Sequence, residues 1–338
     1  MRRHNRARGA FTLIEMIVVI SIIALLMTLT AAAVMRLRES SRESNTNVHL
    51  NKIHMELQKQ WNSQLALIKA ETLPPAIVEL TKDQNGNPDL ARARALHTKL
   101  RLRQEFPQRF EELTPITLPP VNGSSAYVYP VKPAFKTALK APVAVEVVPE
   151  SQSAALVYLI LSQGSGGSTT DVDSIARTKL MDYPQQNNAP PIQLKVFADE
   201  WGNHIGFHRW ADDDMTDVLA ELNQPPFVAP APPPQPGQLL KTDPQDPDGR
   251  LQLPAQNWFT NNGTNYRQAA LSLLQTPRLQ NPFDGKNRGP FVFSPGRNGR
   301  FRVLNTAPNS PPDDPTMAAE TDLDNLYSYR IAGSGKGN

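Results

Sequence analysis

One carboxylate interrupts the most apolar stretch of the sequence. Residues 8–28 read RGAFTLIEMIVVISIIALLMT, and Glu15 is the single acidic residue among them. A charged side chain at the centre of a bilayer costs roughly 2.5–3.5 kcal/mol even on lenient insertion scales, and such residues usually serve a function. Glu15 is therefore the first candidate functional residue, and its role depends on the positive group that compensates it.

Other patterns that could do chemistry are weaker. The chain has no cysteine, which excludes disulfides, a thiol nucleophile and cysteine metal ligands. It has no phosphate-binding glycine loop and no nucleophile elbow, so we expect no enzyme activity. His204 and His208 could share one face of a strand near Asp199 and Glu200 and bind zinc. The alternative is two histidines exposed on a surface hairpin.

The positive charge of the chain is concentrated at its start. The sequence has 35 basic and 32 acidic residues, and four arginines lie within the first ten positions. Without that leader, the chain has 31 basic and 32 acidic residues, so no basic surface is expected on the body of the protein. We therefore expect no nucleic-acid partner.

The basic leader precedes an apolar segment that is long enough to cross a membrane. Residues 11–35 contain Glu15 as their one charged side chain, and 25 helical residues span a bilayer. The arginines before this segment favour a cytoplasmic N-terminus. A secretory signal peptide fits poorly, because the run is too long and its small residues, Gly9 and Ala10, precede it. A plain single-span anchor explains the length but not Glu15.

The residues Gly9-Ala10-Phe11-Thr12-Leu13-Ile14-Glu15 resemble the class III signal of type IV pilins and type II secretion pseudopilins. The resemblance implies that a prepilin peptidase cleaves between Ala10 and Phe11 and methylates the new amino terminus of Phe11. Glu15 then becomes the fifth residue of the mature chain, as in the family. One departure is that glycine lies one place early and Ala10 stands before the cleaved bond.

The resemblance also implies a role for Glu15 in assembly. In a filament of this family, the carboxylate of one subunit meets the terminal amine of its neighbour within the bundled helices. A paired charge in a low-dielectric environment is tolerable where a lone charge is not. Glu15 is accordingly expected to set the stagger between subunits, with no catalytic role.

The partners implied by this resemblance are other pilin or pseudopilin subunits, the prepilin peptidase, and an inner-membrane assembly platform with its ATPase. The expected location is the inner (cytoplasmic) membrane, with the N-terminus cytoplasmic and the head periplasmic or extracellular. The alternative is a membrane-anchored surface binding module that carries a pilin signal but does not polymerise.

Beyond the apolar segment, the pattern becomes amphipathic. Apolar residues recur at three- and four-residue steps from Val48 to Ile68, and no glycine or proline occurs between Phe11 and Pro74. This periodicity predicts that the helix continues and buries one stripe. A membrane-proximal coiled coil is the alternative.

The pattern predicts further elements in the head. A second helix is expected within 89–113, with its arginines on a solvated face. Apolar runs predict strands at 125–131, 141–148 and 154–162, and a strand–turn–strand at 192–210 with Gly202-Asn203 near the turn. Ten prolines within 224–254 predict a loop or linker.

The C-terminal region offers a possible metal site. A strand is expected at PFVFS (290–294), and acidic residues precede a terminal strand within 313–330. These features are similar to the end of major pseudopilins, whose last loop binds calcium. Asp322 and Asp324 are the matching positions, and Asp313 and Asp314 are looser candidates; the alternative is a solvated acidic loop. Calcium is the one cofactor considered, because hard cations take oxygen ligands.

Together these patterns predict an α+β, pilin-like fold, in which a long N-terminal helix packs on a C-terminal antiparallel sheet, with extra helical and Pro-rich insertions. The predicted segments are a cleaved leader (1–10), a transmembrane segment (11–35), its amphipathic continuation (36–72), an α+β head (75–223), the Pro-rich loop or linker (224–254) and a β-rich C-terminal part (255–338).

Overall fold

The computed structural model describes residues 13–118, 120, 125–138, 149–164, 171–185, 190–211, 245–246, 250–251, 253, 255–261, 264–274, 289–298 and 326–327. Several predicted features lie outside the described residues. These are the leader and the predicted strand at 141–148, most of the segment 224–254, and the site residues Gly9, Ala10, Phe11, Asp313, Asp314, Asp322 and Asp324.

The chain forms two compact units that divide between Asn45 and Thr46. In the first unit, the described residues begin at Leu13 and belong to helix α1 (Leu13–Ala70), which continues into the second unit. The apolar side chains of this first part are exposed, as expected for a helix whose surroundings are lipid or other helices.

In the second unit, α1 buries the stripe that its periodicity predicts from Leu50 onward, whereas Val48, where the predicted stripe begins, is exposed. Leu50, Ile53 and Leu57 are fully buried, and Trp61 is 1% exposed. The helix ends at Ala70, four residues before Pro74. Proline has no backbone N–H, so Pro74 cannot donate the helical hydrogen bond to the Ala70 carbonyl.

Shorter helices follow α1 along the chain. They are α2 (Pro75–Leu80), α3 (Leu90–Glu105), α4 (Pro133–Ala138), α5 (Pro149–Gln163) and α6 (Tyr266–Leu274). The helix α3 confirms the predicted second helix: the Asp89 side chain accepts a hydrogen bond from the Arg92 backbone amide at 3.0 Å, and the helix ends before Pro107.

The strand predicted at 154–162 is wrong, because these residues lie in α5. Leu156, Val157 and Ile160 pack in the same core as α1, whereas Ala154 and Ala155 pack against a strand pair in a separate cluster. A helix that is buried on two sides has no polar face, so its apolar run cannot be distinguished from a buried strand by periodicity.

The strands are short and their pairings antiparallel. β1 (Ile116–Leu118) pairs with β2 (Tyr127–Tyr129), and β3 (Thr178–Tyr183) pairs with β4 (Ile192–Phe197). β5 (Gly206–Ala211) pairs with β8 (Gly289–Ser294), which also pairs with β9 (Leu326–Tyr327); β6 (Thr260–Asn261) and β7 (Thr264–Asn265) pair with each other.

These strands confirm the sequence-based predictions at 125–131, 192–210 and 290–294. Helix α1 and α5 pack with β4, β5 and β8 in one apolar cluster, and α2, α3 and α6 pack with β1 and β2 in another. A long N-terminal apolar helix with small antiparallel sheets is an α+β, pilin-like fold.

Candidate functional site

The start of α1 places Glu15 where a negative charge is favourable. Glu15 lies in the first turn of the helix and its side chain is exposed. Unsatisfied backbone amides give a helix N-terminus a partial positive charge, which stabilises a nearby carboxylate. Gly9, Ala10 and Phe11, the predicted processing residues, lie outside the described residues.

The apolar part of α1 satisfies its own hydroxyl groups. Ser21 Oγ donates to the Ile17 carbonyl at 2.8 Å, and Thr30 Oγ1 donates to the Leu26 carbonyl at 2.7 Å. Polar groups must be satisfied internally in a hydrocarbon environment, so these bonds suit a bilayer or a dry helical bundle. Within the described part of the chain, α1 is the one helix long and apolar enough to cross a membrane.

The segment after β4 is a tight turn organised by a buried aspartate. Asp199 is fully buried, and its Oδ1 accepts hydrogen bonds from the backbone amides of Trp201 at 3.0 Å and Asn203 at 2.7 Å. Ser294 Oγ, at the end of β8, donates to Asp199 Oδ2 at 2.8 Å. Asn203 Nδ2 donates to the Gly296 carbonyl at 2.7 Å. Asp199 therefore fixes the turn and ties it to β8.

Burial and hydrogen bonding oppose each other at Asp199. Burial raises the pKa of this carboxyl above its ordinary value, while the hydrogen bonds from Ser294, Asn203 and Trp201 act to lower that pKa. Gly202 occupies the turn with a φ of 88°, a conformation that glycine adopts without strain.

The same turn holds the first buried residue of α1. The Glu200 backbone amide donates to Thr46 Oγ1 at 3.2 Å, and Thr46 is fully buried. One turn further along the helix, His49 Nδ1 lies 3.9 Å from Glu200 Oε1. The turn thus fixes the position at which α1 starts to pack in the second unit.

The two histidines considered for zinc have separate partners. His204 Nε2 lies 3.2 Å from Ser151 Oγ, on α5, whereas the His208 ring stacks on Phe291, 5.7 Å between ring centres. Burial, with Lys179 nearby, lowers the pKa of His204 to about 4, so this ring is neutral at pH 7. Among the described residues, no three histidine or acidic side chains are arranged to hold a metal ion.

The expectation that the arginines of α3 form a solvated face is wrong. Arg92 is 1% exposed, donates to the carbonyls of Lys82, Arg250 and Asn257, and stacks 4.3 Å from the centre of the Trp258 ring. The acceptors come from distant loops, so helical periodicity contained no signal for them.

A second polar cluster that sequence reasoning missed joins α1 to α3. Glu71, just after α1, accepts hydrogen bonds from Arg101 Nε at 3.0 Å and Nη2 at 2.9 Å, and lies 3.0 Å from His97 Nε2. Tyr129 Oη lies 2.8 Å from His97 Nδ1. Burial would raise the pKa of Glu71, but the hydrogen bonds from Arg101 and His97 outweigh it and lower that pKa.

A third cluster is a buried ion pair between β5 and the segment after α3. Arg209 Nη1 and Nη2 lie 2.7 and 2.8 Å from the two Glu112 carboxylate oxygens, and both side chains are at most 1% exposed. Arg209 Nη1 also donates to the Phe106 carbonyl at 3.0 Å. The pair joins β5 to the segment after α3, which indicates a structural role.

Comparison with known proteins gives a match to the N-terminal part of the chain. No curated protein and no solved structure matches the chain. A prokaryotic N-terminal methylation motif matches residues 5–31, which include the last part of the basic leader, Glu15 and the apolar start of α1. Residues 5–31 therefore carry the class III prepilin signal of type IV pilins and pseudopilins.

Proposed function

We propose that the chain is a pilin-like structural subunit, a pseudopilin or minor pilin, of a filament of the type II secretion or type IV pilus kind. The observation that supports this best is the register of the methylation motif. The motif ends inside an exposed apolar helix, and Glu15 lies in the first turn of that helix. The function follows from this combination of signal, helix and carboxylate.

The first step proposed is processing at the end of the leader. A prepilin peptidase cleaves between Ala10 and Phe11, with Gly9 in the position before Ala10, and the new amine of Phe11 is methylated. Glu15 then lies four residues after the new terminus, about one turn of an α-helix. Cleavage after Gly9 would make Glu15 the sixth residue of the mature chain instead of the fifth, which is its position in the family.

The second step proposed is assembly. Once the helices of several subunits bundle together, the Glu15 carboxylate of one subunit pairs with the Phe11 amine of its neighbour. The exposed apolar side chains of α1 supply the contact surface, which is buried in the bundle. The ion pair then selects one stagger between subunits, because other staggers leave both charges unpaired.

The proposed partners and location follow from the same signal. The subunit sits in the inner membrane with its N-terminus cytoplasmic and its head periplasmic or extracellular, which the four arginines of the leader support. An assembly platform and its ATPase extract it from the membrane. The role is structural, without catalysis and without a nucleic-acid partner.

Processing is tested by co-expression with a prepilin peptidase, followed by mass spectrometry of the N-terminal peptide. The expected product starts at Phe11 and carries one methyl group. Ala10→Leu should block cleavage, whereas Gly9→Leu, one position further from the cleaved bond, should reduce it less. A product that starts at Ala10, or cleavage by a signal peptidase instead, would contradict the proposal.

Assembly is tested with Glu15→Leu expressed beside the unchanged chain. The variant should be processed normally but excluded from sheared filaments or from subunit cross-links. Ser21→Ala, which also removes a polar group from the apolar helix, is the matched control and should assemble. If Glu15→Leu assembles as well as the control, the proposed role of Glu15 in assembly is wrong. If neither the unchanged chain nor the control enters filaments, the alternative of an anchored surface module that does not polymerise is favoured.

Calcium binding at Asp322 and Asp324 is a further part of this proposal. Calcium takes six to eight oxygen ligands, so two carboxylates require backbone oxygens and water as well. Calorimetric titration of the full chain with calcium should give saturable heat that Asp322→Asn/Asp324→Asn removes, while Asp313→Asn/Asp314→Asn weakens it less. Equal heats from all three proteins would contradict a site at these positions.

A further inference from the structure

One stretch of α1 is unusually rich in residues that disfavour a helix. Residues 40–47 read Ser-Ser-Arg-Glu-Ser-Asn-Thr-Asn, so six of these eight residues are Ser, Thr or Asn. Such side chains compete with the helical backbone for hydrogen bonds, and each disfavours a helix relative to alanine by roughly two- to threefold. The composition makes this the weakest part of α1 by intrinsic propensity.

Packing gives this stretch little support. The side chains at 40–45 are all exposed, and the first buried side chain of α1 is that of Thr46. The apolar run ends at Met35, and Arg36 and Arg38 follow, so the stretch also lies beyond the part of α1 that suits a bilayer. The division between the two compact units falls at its end, between Asn45 and Thr46.

The stretch also contains signals that normally start a helix. Ser40 and Glu43 have the Ser-x-x-Glu spacing of a capping box, in which each side chain bonds the backbone amide of the other. Asn45 and Thr46 are also favoured residue types for a helix N-cap, and they precede the amphipathic stripe that begins at Val48. A helix that starts in this stretch would therefore have a suitable N-cap residue.

We propose that residues 40–45 form a latent break in α1, at which the helix opens locally while the helical segments before and after it stay intact. Opening exposes backbone amides on the downstream side, and Asn45 or Thr46 then caps the new helix start. Two neighbouring segments are stabilised in other ways: the apolar run by its uniform hydrophobicity, and residues 50–68 by burial in the core. This inference concerns the helix itself and holds whether or not the chain polymerises.

Hydrogen exchange on the full chain in detergent micelles tests the proposal. Amides of residues 40–47 should exchange at least tenfold faster than amides of residues 52–62, although both lie inside one helix. Equal protection in the two segments would overturn the proposal.

A matched pair of variants separates the latent break from general helix fraying. Ser44→Ala/Asn45→Ala should slow exchange at 40–47 by roughly five- to tenfold, since each substitution removes a residue of low helix propensity. Asn51→Ala/Asn62→Ala changes two exposed residues of the packed segment and should leave exchange at 40–47 unchanged. All four side chains are exposed, so folding should be retained. If the first pair fails to slow exchange at 40–47, or the second pair slows it equally, the proposal is wrong.

Discussion

His97 Nε2 lies 3.0 Å from Glu71 Oε2, and this contact joins the end of α1 to the middle of α3. An ionised carboxylate only accepts hydrogen bonds, so His97 Nε2 carries the proton and Nδ1 accepts from the Tyr129 hydroxyl. Burial lowers the pKa of His97, against the hydrogen bond to Glu71, which raises it, so the ring stays neutral near pH 7. The cluster therefore has a single satisfied protonation state at neutral pH.

Replacing Glu71 by alanine should lower the free energy of unfolding by about 1–2 kcal/mol. Arg101 and His97 both lose their hydrogen bonds to this carboxylate. Hydrogen bonds to charged groups contribute on this scale, reduced here because Glu71 is partly exposed and Arg101 keeps Glu105 at 3.5 Å. Urea unfolding of the full chain in detergent measures the change. Glu111→Ala, which removes an exposed glutamate, is the control and should change stability by less than about 0.5 kcal/mol. Equal effects would contradict the assigned role of Glu71.

The second unit should lose stability in mild acid because of His204. Its pKa is about 4 in the folded protein and about 6.5 when unfolded, so the unfolded chain binds the proton more readily between these values. The stability contributed by His204 is therefore fully present above about pH 6.5 and is lost as the pH falls. Between pH 7 and pH 5 the loss amounts to about 2 kcal/mol by proton linkage.

The measurement is the free energy of unfolding at several pH values, with His204→Gln as the comparison. Glutamine does not titrate, so the variant should show a pH slope smaller by the same amount. The lowered pKa values of His97, His54 and His49 add a remaining slope of the same sign, which both proteins share. Identical slopes in the two proteins would rule out His204 as the titrating group.

Replacing one partner of the Arg209–Glu112 ion pair should destabilise the fold strongly. Burial would raise the pKa of Glu112, but pairing with Arg209 outweighs it and keeps the carboxyl ionised. Arg209→Met leaves a buried carboxylate without its main partner, and we expect a loss of about 3–5 kcal/mol. Glu112→Leu should have a similar effect.

The double variant Arg209→Met/Glu112→Leu should be more stable than either single variant, because it removes both charges together. Unfolding of all four proteins gives a double-mutant cycle with a coupling of at least about 1 kcal/mol. Additive losses would mean that the two side chains act independently.

Gly202→Ala should destabilise the turn after β4 by about 1 kcal/mol. A Cβ at this position would meet no atom within 4 Å, so the effect comes from the backbone φ of 88° alone. Gly202→Asn should be milder, since asparagine tolerates this conformation better than alanine. Thermal unfolding compares the two variants, and the reverse order would show that steric contact, not backbone strain, dominates.

The sequence pattern predicted those elements that depend on residues close together in the chain. The stripe of α1, the helix α3 and the turn at Gly202-Asn203 all depend on neighbours within a few residues, and the structure has them. The prepilin signal, matched at residues 5–31, is also local.

Features set by distant partners were not predictable in the same way. The run at 154–162 forms a helix because two separate apolar clusters surround it, and Arg92 is buried because carbonyls from three loops converge on it. The sequence places Asp199 near two histidines as a metal-ligand candidate, whereas its hydrogen bond from Ser294, 95 residues away, holds a turn in place. Chain contacts at such separation leave no periodic trace in the sequence.

The hydrogen bond from the Glu200 amide to the Thr46 hydroxyl sets a practical limit for anyone who trims the chain to obtain a water-soluble fragment for crystallisation. A fragment that starts at Asn45 retains this acceptor and the whole buried stripe. One that starts at Asn47 leaves the amide without it, and we expect such a fragment to melt at a lower temperature.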